Sequence, residues 1–242
     1  MFELTISINL KNQAYISKLY KNLAEEVKMA SGVIAKENYN GRSCLSFAVK
    51  KESKEYFISK ILDFVSFVVI DCYKYNYFKE KLMPTNETVV FESFLKAVTI
   101  FDLDLDKEYI ANKIDFSGKI LIDSLYYFNL QDLSKRWQKT VDIINFNQIV
   151  KNNSSMLEIL KYLTTVSDNL VKSADVVISK KQLKIKHLEK SKQFKRNFVG
   201  LSKFLSEIIE LNPAKINLKL CESGGEEVVE MLSKIFYDKI NF

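Results

Sequence analysis

Six glycines and two prolines in 242 residues leave little material for long irregular connections, so the chain is expected to be rich in long helices. Histidine is scarcer still, with His187 alone. Ser-His-Asp catalysis, Cys-His catalysis and multi-histidine metal sites would each have to use that one residue. It lies among Lys184, Lys186 and Lys190, and a surface or strand histidine is the expected role. Cys44, Cys72 and Cys221 are odd in number, scattered and without a Cys-x-x-Cys pair. That argues against a disulfide framework or a zinc site and for reduced core thiols. Neither GxGxxG nor GxxxxGK[ST] occurs, so no phosphate loop is expected. No metal or organic cofactor is expected either, and the chain is read as no enzyme.

Long apolar runs are missing as well. Residues 64–70 are apolar on nearly all sides, but Lys60, Asp63 and Asp71 bracket them, far short of the ~20 residues that a membrane span needs. A buried core helix is the expectation, with no transmembrane segment. The opening residues lack a basic n-region, a sustained apolar run and a small-residue cleavage site. Secretion is therefore unsupported and the cytoplasm is the expected compartment.

What the chain does have is concentrated charge. Between positions 180 and 196 stand eight Lys or Arg residues against the single Glu189, a local charge of +7 in a protein whose net charge is +6. Leu183 and Ile185 alternate with Lys184 and Lys186, so on a strand those lysines would share one face. Lys192, Lys195 and Arg196 are expected on the following loop or helix start. Lys184, Lys186, Lys192, Lys195 and Arg196 thus form a candidate polyanion-binding set. Aromatic interleaving is limited to Phe194 and Phe198, and no RNA-recognition or helix-turn-helix motif occurs, so base stacking and groove readout lack support. A solvated charged face is the simpler reading.

Periodicity orders the rest. Residues 3–8 alternate polar and apolar, as a half-buried strand does. Tyr15, Leu19, Leu23 and Val27 recur at helical spacing as far as Ser31-Gly32. Two short strands follow, over 33–37 and 44–49, joined by Asn40-Gly41, the dipeptide that supplies positive φ for a tight hairpin. An uninterrupted stretch from Ser53 to Met83, closed by Pro84, predicts a long helix. Further helices are predicted over 87–100, 107–114 and 118–145. Another is predicted over 156–171, with Ser155 and Glu158 at capping-box spacing. Strands are then expected over 175–179 and 182–187, a helix over 198–211, a strand over 215–220 and a last helix over 226–236. Asp102, Asp104 and Asp106 begin like a calcium loop, but Lys107 and Lys113 stand where that loop needs Gly and Glu; a solvated strand or loop edge is expected. Ser223 and Glu226 have the spacing of a second capping box, favoured over a phosphate cradle because Glu226 and Glu227 would repel the anion.

The second half resembles the YtxC-like sporulation protein family of spore-forming Firmicutes, over roughly residues 90–240. Gly118 leads a segment that passes through Phe128, Asn129 and Leu130 to Leu133, similar to that family's Gly-led helix and Phe-Arg-Leu-x-x-Tyr element, with Asn129 and Leu133 departing from it. Residues 156–163 are similar to the family's next apolar helix. Residues 205–216, with Asn212-Pro213 between helix and strand, are similar to its element near the end. The resemblance implies a role in endospore formation and no site residues.

Together these readings predict a helix-rich α+β fold with an N-terminal β-α-β-β unit, long central helices and a C-terminal strand-helix unit. The domains are expected at 1–92 and 93–242. The expected function is that of a sporulation-associated cytoplasmic protein acting through contacts with an unidentified protein partner. A nucleic-acid-binding module using segment 180–196 is the alternative.

Overall fold

The structure, a computed structural model, describes residues 1–84, 88–179, 183–189, 192–220 and 225–241. In chain order they form β1 (Phe2–Asn9), α1 (Gln13–Met29), β2 (Val33–Tyr39), β3 (Arg42–Val49), α2 (Lys54–Val68), a π-helical segment (Val69–Lys74), α3 (Tyr75–Lys81), α4 (Val89–Phe101) and α5 (Leu103–Ala111). Next come β4 (Lys119–Leu121), the single turn α6 (Ile122–Ser124), a second π-helical segment (Leu125–Asn129), α7 (Gln131–Phe146) and α8 (Asn153–Val166). The chain continues through β5 (Ala174–Ile178), β6 (Leu183–Glu189), β7 (Lys192–Phe198), α9 (Leu201–Leu211), β8 (Ile216–Leu220), α10 (Glu226–Phe236) and β9 (Ile240–Asn241). The fold is α+β and helix-rich, as the periodicity predicts.

Two compact units divide the chain, one made of Met1–Tyr77 and Leu103–Lys139, the other of Phe78–Asp102 and Thr140–Phe242. They interleave along the sequence. A single boundary at 92–93, expected from the sequence, is not where this division falls.

The first unit holds a four-stranded sheet of order β2-β3-β1-β4. Phe2, Leu4, Ile6 and Ile8 on β1 and Leu45, Phe47 and Val49 on β3 are buried, the single apolar face that period-two alternation dictates. The buried stripe of α1, formed by Ile16, Leu19, Leu23 and Val27, comes from the same unit, as do Phe57, Ile61 and Val65 of α2. Asn40 and Gly41 both adopt positive φ, 47° and 73°, which closes the β2–β3 hairpin. Gly32 serves a different need: a Cβ there would lie 2.4 Å from the carbonyl oxygen of Ala48, so only glycine lets the chain leave α1 this close to β3. The long helix predicted over 53–83 is present as α2, the π segment and α3 in succession. The predicted helix over 118–145 needs correcting, because it opens with β4, which pairs in parallel with β1 through Thr5, Ile6 and Ser7.

The second unit holds a five-stranded sheet of order β7-β6-β5-β8-β9 together with α4, α8, α9 and α10. Helix α4 is its apolar centre: Val90, Phe91, Phe94, Leu95, Ala97 and Val98 are buried. Thr88 caps it, its hydroxyl accepting from the Phe91 N–H at 3.2 Å. Helix α8 starts earlier than its predicted capping box, with Asn152 as the cap and its side chain accepting from the Ser154 N–H. Asn212, in the left-handed conformation, ends α9 and donates through Nδ2 to the carbonyls of Ser167 and Asp168. Helix α10 has the predicted bounds. The predicted cap at Ser223 lies outside the described residues, as does Cys221.

Candidate polyanion-binding surface

Strands β5, β6 and β8 each alternate. Ala174, Val176, Ile178, Leu183, Ile185, Ile216 and Leu218 are buried, while Asp175, Val177, Lys184, Lys186, Asn217 and Lys219 between them are half-buried or exposed. The sheet therefore has one covered face and one open face. Register arranges the open face into two rows running across the strands. In one row Lys195 stands opposite Lys186, Lys186 opposite Asp175, Asp175 opposite Asn217 and Asn217 opposite Asn241. In the other, Asn197, Lys184, Val177 and Lys219 follow in the same order. Facing side chains in such rows lie about 5 Å apart.

Charge on this face is unbalanced. Lys184, Lys186, Lys195 and Lys219 face a single carboxylate, Asp175, which already accepts from Asn217 Nδ2 at 2.9 Å. Lys186 and Lys195 are directly opposed, and like charges so placed destabilise a sheet unless an anion lies between them.

The predicted set thus divides. Lys184, Lys186 and Lys195 share the open face, as alternation predicts for the first two. Lys195 and Arg196 lie on a strand, β7, and not on a loop or helix start. Arg196 stands opposite Ile185, on the covered side, and pairs with Glu207 of α9. Lys192 too lies on β7 rather than on a loop or helix start, opposite Glu189. Lys219, absent from the predicted set, joins the face through the parallel pairing of β5 and β8. Its alternation with Leu218 was visible in the sequence; the pairing that carries it to the other lysines was not. His187 is a strand residue, but buried, its ring stacked on Phe194 at 5.3 Å.

Two further polar clusters, neither foreseen, belong to the first unit. Asp106 is only 1% exposed and accepts from Lys74 Nζ at 2.7 Å, Trp137 Nε1 at 3.2 Å and Arg136 Nη2 at 3.3 Å. The Asp102–Asp104–Asp106 stretch is therefore corrected from a solvated edge to the start of a helix, with its last carboxylate in the core. Asp123 accepts from the Tyr73 hydroxyl at 2.7 Å, Arg42 Nη2 at 2.6 Å and the Asn9 N–H at 3.0 Å. Burial, then the Asp123 hydrogen bond and charge, push the Tyr73 hydroxyl well above the usual tyrosine range. Burial, then the charge of Asp71, act on Tyr15 in the same sense. Tyr73 also stacks on Tyr126 at 4.4 Å, and Tyr126 on Trp137 at 6.0 Å, so a line of rings joins the two clusters. Every carboxylate oxygen of Asp106 and Asp123 is engaged with a donor, and through Lys74 and Tyr73 both clusters hold the first π segment.

Among the described residues no group of three or more His, Cys, Asp or Glu side chains could hold a metal ion, and no helix is long and apolar enough to cross a membrane. Comparison with known proteins returned no matching family model, no matching curated protein and no matching solved structure.

Proposed function

We propose that this chain is a non-catalytic protein that works through protein contacts, and that its contact surface is the lysine-bearing open face of the five-stranded sheet, which takes an acidic protein surface. The observation that carries this reading is the direct opposition of Lys186 and Lys195, with Lys184 and Lys219 in the neighbouring row and Asp175 as the single carboxylate in the two rows. An incoming acidic surface relieves the repulsion within the face and gains charge-assisted hydrogen bonds. The resemblance to the YtxC-like family supports endospore formation, in the cytoplasm, as the setting.

Nucleic acid is the second reading, since a phosphate backbone would relieve the same repulsion. It is disfavoured because neither row contains an aromatic ring on which a base could stack. Affinity capture from sporulating cells, with and without nuclease, using the native chain and Lys184→Glu with Lys186→Glu, decides between them. A nuclease-resistant protein partner lost in the double variant is the expected result. Binding of duplex DNA or single-stranded RNA at about 0.15 M salt that the double change abolishes would establish the second reading instead. A partner retained by the double variant would overturn both.

A further inference from the structure

Strand β7 ends the sheet: β6 pairs along one side of it, and among the described residues no strand pairs along the other. Every second residue of such a strand points its N–H and C=O away from its neighbour, so an edge of seven residues is a row of open backbone donors and acceptors. The other edges differ. β9 has two residues and β4 three, too short to hold a strand by backbone bonds, while β2 carries both Lys36 and Glu37 and selects no sign of charge.

The sequence of β7, Lys-Gln-Phe-Lys-Arg-Asn-Phe, has three cations and no acid. A second copy of β7 laid against it would set Lys and Arg against Lys and Arg, which disfavours self-pairing. An acidic strand would meet only opposite charge. The two sides of the edge also differ in kind: on the open face stands Lys195, exposed and opposed by Lys186, while towards the covered face stand Phe194, 36% exposed with its ring on His187, and Arg196, whose charge is already paired with Glu207. Successive side chains of an added strand would point alternately to these two sides.

We propose that β7 is a docking edge for an extended segment of a partner protein that alternates acidic and apolar residues and adds to the sheet as a sixth strand. Backbone hydrogen bonds along β7 supply the affinity. Lys195, with Lys186 and Lys184 behind it, takes the acidic side chains, and Phe194 takes the apolar ones. This rests on the reading that the partner is an acidic protein, and adds how it is held.

The test uses the full chain and a terminally blocked peptide of about seven residues alternating Glu and Val, matched to the length of β7. Four controls accompany it: the same peptide N-methylated at every second residue, the same composition with its Glu and Val in separate blocks, a Lys/Val counterpart, and the protein variant Lys195→Glu. Binding is followed by fluorescence anisotropy and by hydrogen exchange of the β7 amides. The alternating acidic peptide is expected to bind and to slow exchange along β7. N-methylation on the ladder side should weaken binding about tenfold or more, since it removes the donors while keeping the charge. Blocked order and Lys195→Glu should each weaken it severalfold, and the Lys/Val peptide should not bind. Equal binding of the native and N-methylated peptides would overturn strand addition and leave an acidic partner held by the open face alone. Absence of binding by every acidic peptide would overturn the docking edge, while nuclease-resistant capture that depends on Lys184 and Lys186 would still uphold the reading on which it rests.

Discussion

Asp106 is held by three donors and Lys74 by Asp106, both side chains almost wholly inside the first unit. Removing one member of a buried ion pair strands the other charge in a medium that cannot solvate it, at a cost of about 3–5 kcal/mol, whereas replacing both with apolar groups of similar volume is often near neutral. Asp106→Ala should therefore lower the unfolding free energy by about that amount, and Lys74→Met combined with Asp106→Leu should recover most of it, as read from urea denaturation. Tyr73 gives a pH dependence whose sign is fixed by its neighbours. Its hydroxyl titrates above its ordinary 10.0 in the folded chain, so the folded state keeps a proton that the unfolded state gives up. The stability it contributes is complete below pH about 10 and is lost as pH rises from there towards the folded value. Tyr73→Phe should make the alkaline fall in the urea midpoint shallower than in the native chain. Neither residue could be singled out beforehand. Asp106 sits in an alternating Asp-Leu-Asp-Leu-Asp run that imitates a strand edge, and Lys74, which reveals its role, is 32 positions away.

Among the elements, those with an unmixed period were legible and those diluted by charge or brevity were not. The alternation of β1, the stripe of α1, the Asn40-Gly41 hairpin and the bounds of α10 follow from apolar spacing and turn chemistry alone. Strand β7 carries Lys195 and Arg196 on opposite faces, so its sequence shows no clean apolar alternation, and only its pairing to β6 makes it a strand. Strand β4 has three residues, and its apolar spacing blends into the helix that follows. The two π segments are equally invisible to periodicity, since a single wider turn within a helix leaves the apolar spacing on either side almost unchanged. Helix α2 tests the legible part. Phe57 is 1% exposed and its ring lies 5.5 Å from that of Phe47 on β3, so Phe57→Ala leaves a cavity between helix and sheet. A loss of about 3–5 kcal/mol is expected in urea unfolding, and a change below about 1 kcal/mol would show that the site collapses around the smaller side chain or is not core.

For the whole molecule, the interleaved units govern what can be separated. A cut at residue 92 would deprive the first unit of α5, β4 and the residues that hold Lys74, and would sever the second from the start of α4. Fragments 1–92 and 93–242, made apart, are expected to lack the chemical-shift dispersion of folded domains; two well-dispersed spectra would mean that each half closes its own core. The candidate surface was partly legible at this scale: the charge excess and the shared face of Lys184 and Lys186 follow from the sequence, but the sheet order that adds Lys219 and turns Arg196 towards Glu207 does not. The same interleaving bears on how the protein is made. Helix α4 is translated before any of the helices α8, α9 and α10 that share its unit, and most of its apolar side chains are buried once the chain is whole. While residues 140 onward are still being added, Phe91, Phe94, Leu95 and Val98 lack the company they will later keep. Synthesis is thus a stage at which the nascent chain is open to aggregation, and ribosome pausing or holdase supply downstream of α4 should influence how much of it a cell accumulates.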